Sequence, residues 1–381
     1  MTTAYRGLGP FSDLVAFARN QVAQRATGDL ADLTSAEVRN VIGFPRDSPP
    51  DDVRLEDTWT TGGITGESLS WSVGYGPRTR AWLLRPAHAS GPLPGVLALH
   101  DHGEFKFLGR EKIADGPNGP NDAVLEFRRK FYGSRAFANE LARRGFVVLV
   151  HDTFLWGSRR FEADVMEGHL STDVEEPWVA PDPLRTGSPA SVAEYNRLAA
   201  RHEHVVAKYC TVLGTSLAGV VAYEDRVALE YLRSRRDVLG KSIGCVGLSG
   251  GGCRAALLNA VSPLVSAAVV VGMMTTYEGL LDRHVGSHTW MFFPSGLAPR
   301  WDWPELASCR APSPLMVLYM RGDELFSLGG MQDAHAQIQL KYRTLGHPAA
   351  YVGTFYEGGH RFDCQMQEAA FDFLAERLST V

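Results

Sequence analysis

Ser242-Ile243-Gly244-Cys245-Val246-Gly247-Leu248-Ser249-Gly250-Gly251-Gly252-Cys253-Arg254-Ala255-Ala256 reads as a short apolar strand, a turn of small residues and the start of a helix. At its centre is Gly-x-Ser-x-Gly, with Gly247, Ser249 and Gly251 in the set places. Between a strand and a helix this pattern holds a serine in a strained backbone conformation at the C-terminal edge of a sheet and turns its hydroxyl outward. Glycine flanks it because a side chain there would collide with the neighbouring strand and helix. The amide of Gly250 falls at a helix N-terminus, where it can donate to a developing oxyanion. Ser249 is therefore a candidate nucleophile and Gly250 a candidate oxyanion donor. In a chain with 39 glycines the pattern alone decides little, so its setting and partners must carry the reading.

The setting is a series of continuous apolar runs. Val96–Leu99, Phe146–Val150, Ser242–Val246, Ala267–Val271, Leu315–Tyr319 and Ala350–Val352 have the texture of strands buried on both faces, which implies parallel pairing. Helical patterns separate them, at Ser134–Arg144, Gly219–Arg233, 330–345 and 365–378. Alternating strand and helix predicts an α/β architecture, a mostly parallel, doubly wound sheet with helices on both faces. From about Val53 to Pro86 the texture differs. Ser68–Val73 and Arg80–Leu84 alternate, with a turn at Gly74–Pro77, and predict antiparallel strands that make the sheet mixed.

A serine hydroxyl needs a base to take its proton, and the base needs an orienting carboxylate. In this kind of sheet the chain order is serine, acid, histidine. The run Leu315–Met320 ends in Arg321-Gly322-Asp323-Glu324, and the run near Ala350–Phe355 ends in Gly358-Gly359-His360. Asp323 and His360 thus follow successive strands at the edge that carries Ser249, and they complete a candidate Ser-His-Asp triad. Glu324 is the rival acid; Asp302 and Asp363 are weaker ones. The loop after Val96–Leu99, His100-Asp101-His102-Gly103, should supply a second oxyanion donor, the amide of His102. His100-x-His102 also suggests a metal site, but no further ligands follow at the usual spacing, so no metal and no cofactor is expected. Asp152, after Val147–Val150, reads as structural.

Three stretches interrupt the alternation and are expected as loops over the active site: residues 104–133, 155–205 and 284–304. The third is aromatic and Pro-rich and should wall a substrate pocket, since open α/β sheets bind ligands at this edge. Trp156, Trp290, Phe292 and Phe293 are its candidate lining residues. Residues 1–52 read as an N-terminal helical extension and 53–381 as the catalytic domain. In the extension Ser12 should cap a helix containing Leu14, Ala18 and Val22, and Thr34–Glu37 forms a capping box for a second helix that Gly43 and Pro45 stop.

Composition narrows the function classes. The chain has 381 residues, 45% of them apolar and 21% charged, with a net charge of -5, which argues against nucleic acid and anionic membrane as partners. No apolar run approaches the roughly 20 residues of a membrane span. The N-terminus lacks the apolar core of a signal peptide, and the five scattered cysteines read as reduced, so a cytoplasmic location is expected. The expected partners are a small-molecule ester and, through the N-terminal helices, a second copy of the chain.

With these residues placed, the chain resembles the α/β-hydrolase superfamily, and within it the dienelactone hydrolase-like and acetyl xylan esterase-like enzymes. The resemblance covers roughly residues 60–380. It is carried by Leu99–Gly103, Gly109–Lys112, Gly145–Gly157, Glu224–Leu232, the Gly-x-Ser-x-Gly stretch, Gly322–Phe326 and Gly358–Phe362. It implies the α/β-hydrolase fold and a cofactor-free serine hydrolase whose triad maps onto Ser249, Asp323 and His360. Dienelactone hydrolases proper use cysteine, so the serine here implies esterase chemistry. The His100–Gly103 loop departs from the commoner His-Gly-x, which bears on the oxyanion donor, while the helical N-terminus is similar to that of larger carbon–carbon bond hydrolases. Carbon–carbon or peptide cleavage on the same triad is the alternative, with a non-catalytic binding protein behind it.

Overall fold

The computed structural model describes residues 5–23, 33–44, 46–170, 189–298 and 300–379. Nine strands form one sheet: β1 (Asp51–Thr61), β2 (Ile64–Ser72), β3 (Thr79–Pro86), β4 (Leu93–Leu99), β5 (Val147–His151), β6 (Val238–Leu248), β7 (Ala267–Val271), β8 (Leu315–Met320) and β9 (Tyr351–Tyr356). They lie in the order β1-β2-β3-β5-β4-β6-β7-β8-β9. The first three are antiparallel, β3 runs antiparallel to β5, and every pairing from β5 to β9 is parallel. The order reverses at β4, whose neighbours are β5 and β6. Such a switch point leaves a crevice beyond the strand ends, where ligands bind.

Alternation of side chains divides the core between the two faces. Leu97, Leu99, Val147, Leu149, Ile243 and Cys245 face one cluster. It is completed by α2 (Ser35–Ile42), α7 (Leu217–Ser234), α8 (Gly250–Val261), α9 (Trp303–Ser308) and α10 (Leu328–Thr344). Val96, Ala98, Val148, Val150, Val246 and Leu248 face the other, with α3 (Asp122–Phe131), α4 (Phe137–Arg143) and α11 (Cys364–Leu378). The helices start where capping side chains stand. Ser216 accepts the Gly219 N–H at 3.0 Å to open α7, and Asp363 accepts that of Met366 at 3.1 Å to open α11.

Part of the sequence reading is corrected. Residues 104–133 and 155–205 are not plain loops. The first contains α3, capped by Asn121; the second contains α5 (Ala163–Leu170) and enters α6 (Pro189–Val212). α5 and α6 share a small core of their own, made of Ala163, Met166, Tyr195, Leu198 and Ala199. β1 had no separate reading because it is an exposed edge strand, paired to β2 with register irregularities through a Gly62–Gly63 turn. Ser12 does not cap α1 (Leu14–Ala23): its hydroxyl turns back to the Gly9 carbonyl at 2.7 Å and closes the short helical turn before it.

The Thr34–Glu37 capping box is present, and Gly43 ends α2 with φ 100°; Pro45 lies outside the described residues. α2 packs into the main core through Val38 and Ile42. The hydroxyls of Thr215 and Ser216 both donate to the Ile42 carbonyl, at 3.2 and 2.9 Å. Among the described residues, no single helix is long and apolar enough to cross a membrane.

Candidate active site

Ser249 stands between the end of β6 and the first turn of α8 with φ 56° and ψ −118°. A non-glycine residue in that region is strained, and strain of this kind concentrates at functional sites. Two backbone bonds hold it. The Ser249 N–H donates to the Val271 carbonyl at 2.8 Å, and its own carbonyl accepts from Cys253 at 2.8 Å. The turn is pressed against β4, since a Cβ on Gly251 would lie 3.0 Å from the Leu99 carbonyl carbon. Arg254, one turn further on, is buried. It donates to Asp225 on α7 at 2.6 Å and to the His100 carbonyl at 3.1 Å, tying α8 to the loop after β4. Burial works to raise the Asp225 pKa, but Arg254 and His151 outweigh it and hold the carboxyl below its usual range.

β8 and β9 deliver the acid and the base. Their loops are cross-linked: the Arg321 N–H donates to the Tyr356 carbonyl and the Gly322 N–H to the Gly358 carbonyl, both at 2.9 Å. His360 Nδ1 lies 2.7 Å from Asp323 Oδ2, and Asp323 Oδ1 accepts the Leu325 N–H at 3.0 Å. A carboxylate only accepts, so Nδ1 is the donor in this bond and Nε2 is left for other partners. Asp323 is buried and His360 half-buried. Two of the three rival acids are occupied as helix caps, and the third, Glu324, lines the cavity beside Asp323. Asp302 caps α9 and takes the Tyr277 N–H, and burial raises its pKa to about 6. Asp363 caps α11, and Glu324 is exposed.

The loop after β4 brings its backbone to the serine. A Cβ on Gly250 would lie 2.5 Å from the His102 nitrogen, so the two candidate donor residues are close neighbours. Gly250 opens α8, and first-turn amides have no partner within their own helix. The loop is clamped from below. Lys112 Nζ donates to the Asp101 carbonyl at 2.6 Å and to that of His102 at 3.2 Å, and Trp156 Nε1 donates to the His102 carbonyl at 3.3 Å. The rings of His100 and His102 serve different partners. His102 Nε2 reaches Glu203 at 3.2 Å, while His100 Nδ1 donates to the Asp101 carbonyl at 3.1 Å and burial lowers its pKa well below the ordinary value. Among the described residues no group of three or more His, Cys, Asp or Glu could hold a metal ion. Asp152 is buried and accepts from the Arg110 and Ser158 amides, a structural role.

Ser249, Gly250, His102, Asp323 and His360 all line one cavity of about 810 Å³. No hydrogen bond joins Ser249 to His360. Of the four expected wall residues the cavity takes only Phe292, which stacks on Trp303. Trp156 is buried beneath the His102 loop, Trp290 is turned outward by a bond to His204 at 2.8 Å, and Phe293 packs on Tyr277. The 284–304 stretch also places His288 in the wall, and residues not singled out from sequence are Phe105, Phe127, Phe131, Asn196 and Phe326.

Glu203 is the other residue missed. It is buried on α6 and accepts from Lys106 at 2.5 Å, Thr289 at 2.6 Å, the Trp290 amide at 2.9 Å and His102 at 3.2 Å. Burial opposes its charge, but Lys106 and His102 outweigh burial and keep the carboxyl ionised, with a pKa well below the usual range. The buried recurrence Tyr195, Leu198, Ala199, His202, Val206, Cys210 was the available signal for α6.

The chain matches no family model. It is 22% identical over 313 residues, 82% of this chain and 88% of the other, to a Bacillus subtilis protein named as a hydrolase, YtaP. It superposes on a glucuronoyl esterase from Solibacter usitatus with a TM-score of 0.62 at 13% identity, covering 99% of this chain and 97% of that one. Against acetyl xylan esterase 1 from Thermoanaerobacterium sp. JW/SL YS485 the TM-score is 0.55 at 13% identity, covering 94% and 98%. Strand order, helices on both faces and these superpositions agree: the chain has the α/β-hydrolase fold.

Proposed function

We propose that the protein is a serine hydrolase that cleaves carboxylic esters of small molecules. The observation that carries this reading is the strained serine at a strand–helix turn, opening into the cavity shared with the His360–Asp323 pair. In this reading His360 Nε2 takes the proton of Ser249 as its oxygen attacks the acyl carbonyl. The Ser249–His360 bond closes when substrate is bound, as is common where the free site is looser than the reacting one. The amides of Gly250 and His102 receive the oxyanion. Asp323 orients His360 and stabilises its cationic form. His360 then protonates the leaving alcohol, and water releases the acid from the acyl-enzyme by the same steps. The esterase names of the two structural neighbours support ester chemistry over other acyl transfers.

The test is the intact mass of the protein after a fluorophosphonate probe, beside hydrolysis of p-nitrophenyl acetate. Wild type should gain one adduct and release acetate. Ser249→Ala should gain none, and its turnover should fall by roughly 10³-fold or more. An adduct without ester turnover would move the reading to carbon–carbon or amide bonds; no adduct at all would overturn it in favour of a binding protein. The acid is tested by kcat for Asp323→Asn, expected to fall by several orders of magnitude, against Glu324→Gln, expected to stay near wild type. The reverse ranking would make Glu324 the acid.

A further inference from the structure

We infer that His288 is a specificity-determining residue that accepts a hydrogen bond from the substrate, so that the cavity selects esters carrying a hydroxyl or N–H group away from the scissile bond. This rests on the serine-hydrolase reading and narrows its substrate class.

His288 lines the same cavity as Ser249 and His360. Its Nε2 lies 3.0 Å from the Leu325 carbonyl oxygen. A carbonyl oxygen only accepts, so Nε2 carries the hydrogen and Nδ1 presents a lone pair. The ring is clamped between Phe292 and Phe326, with centroids 5.0 and 4.7 Å away and interplanar angles of 23° and 29°. A flip that exchanged the two nitrogens would break the bond to Leu325. Nδ1 has no hydrogen-bond partner among the described residues, yet it is not sealed in the protein.

Burial lowers the His288 pKa to about 4, with His284 and His360 pushing the same way and the Leu325 carbonyl and Asp323 opposing them. At neutral pH the ring is therefore uncharged and can only accept at Nδ1. Phe292 and Phe326 beside it offer no donor. A ligand that fills the cavity and excludes water must bring the donor itself or leave this lone pair unpaired. A site built that way rejects an analogue lacking the donor.

The test uses matched esters that differ by one methyl cap: 2-hydroxyethyl against 2-methoxyethyl butyrate, and methyl 3-hydroxybutyrate against methyl 3-methoxybutyrate. Affinities are measured calorimetrically on Ser249→Ala, which should not turn them over. In at least one pair the hydroxylated ester should bind about tenfold more tightly than its methyl ether. Adding His288→Phe keeps an aromatic ring between Phe292 and Phe326 but removes the acceptor, and should bring that ratio close to one. Adding His288→Asn, whose side-chain carbonyl accepts, should retain the preference. Equal affinities in both pairs, a preference that survives His288→Phe, or no binding of any of the four would overturn the inference. The first of these is read without altering His288, so an unfolded variant does not remove the test. Wild-type turnover of the same esters reports separately on the hydrolase reading: preference without turnover would sink that reading and leave the role of His288 standing.

Discussion

Lys112 shows how a single buried side chain can govern the site. It is fully enclosed, sits 5.5 Å from the Phe127 ring and gives its hydrogens to the two carbonyls that shape the His102 loop. Burial lowers its pKa to about 8, Arg254 adds to that, and Asp101 and Glu111 oppose it. The folded value lies below the unfolded one, so between about pH 8 and 10.5 the unfolded chain binds more protons. Stability contributed by this group therefore rises with pH across that window, because the cost of burying the charge disappears. Activity should move the other way. A neutral amine holds the carbonyls less firmly, so kcat/KM should fall through about pH 8. In Lys112→Met, kcat/KM should be lower throughout and lack that alkaline limb. A wild-type profile flat from pH 7 to 9.5, beside an unchanged Lys112→Met, would remove the loop from Lys112's control.

At the scale of elements, Glu203 joins three segments that are far apart in sequence: α6, the His102 loop and the turn at Thr289–Trp290. Its ion pair with Lys106 is buried on both sides, and removing one partner of such a pair costs about 3–5 kcal/mol because the other charge is left alone. Glu203→Gln should lower stability to urea by that order and reduce kcat more than it raises KM, since it loosens the loop that carries the His102 amide. Adding Lys106→Met should recover much of the stability, and a double-mutant cycle measures the coupling. Additive losses would show that the pair does not hold α6 to the site.

For the molecule as a whole, the sheet is shared by two hydrophobic clusters, so neither face can lose its packing without exposing the strands of the other. Leu229 on α7 and Leu374 on α11 are fully buried on opposite faces. Each Leu→Ala substitution should cost about 2–5 kcal/mol. Both should shift one common urea transition, followed by circular dichroism and by tryptophan fluorescence. Two separated transitions would mean that the faces unfold independently.

The sequence by itself determined the strands from β4 to β8, because residues buried on both faces must be apolar without interruption; β9 is a half-buried edge strand, legible only from its apolar start and the glycine turn that follows it. The sequence also determined the order of Ser249, Asp323 and His360, because each follows a strand and glycine marks the turns around the serine and the histidine. What lies over the sheet was not legible in this way. α3, α5 and α6 are partly exposed, and their mixed composition reads as loop; β1 is an edge strand with little buried pattern to read. The cavity wall was decided by tertiary structure alone. Four aromatic residues were candidates, and only Phe292 faces in, because Trp156 is spent under the His102 loop, Trp290 on His204 and Phe293 on Tyr277. Glu203 and His288 acquire their roles only from donors, acceptors and rings brought from other parts of the chain. Local sequence encodes which residues must be buried and where the backbone must turn; which polar group meets which depends on how those elements pack.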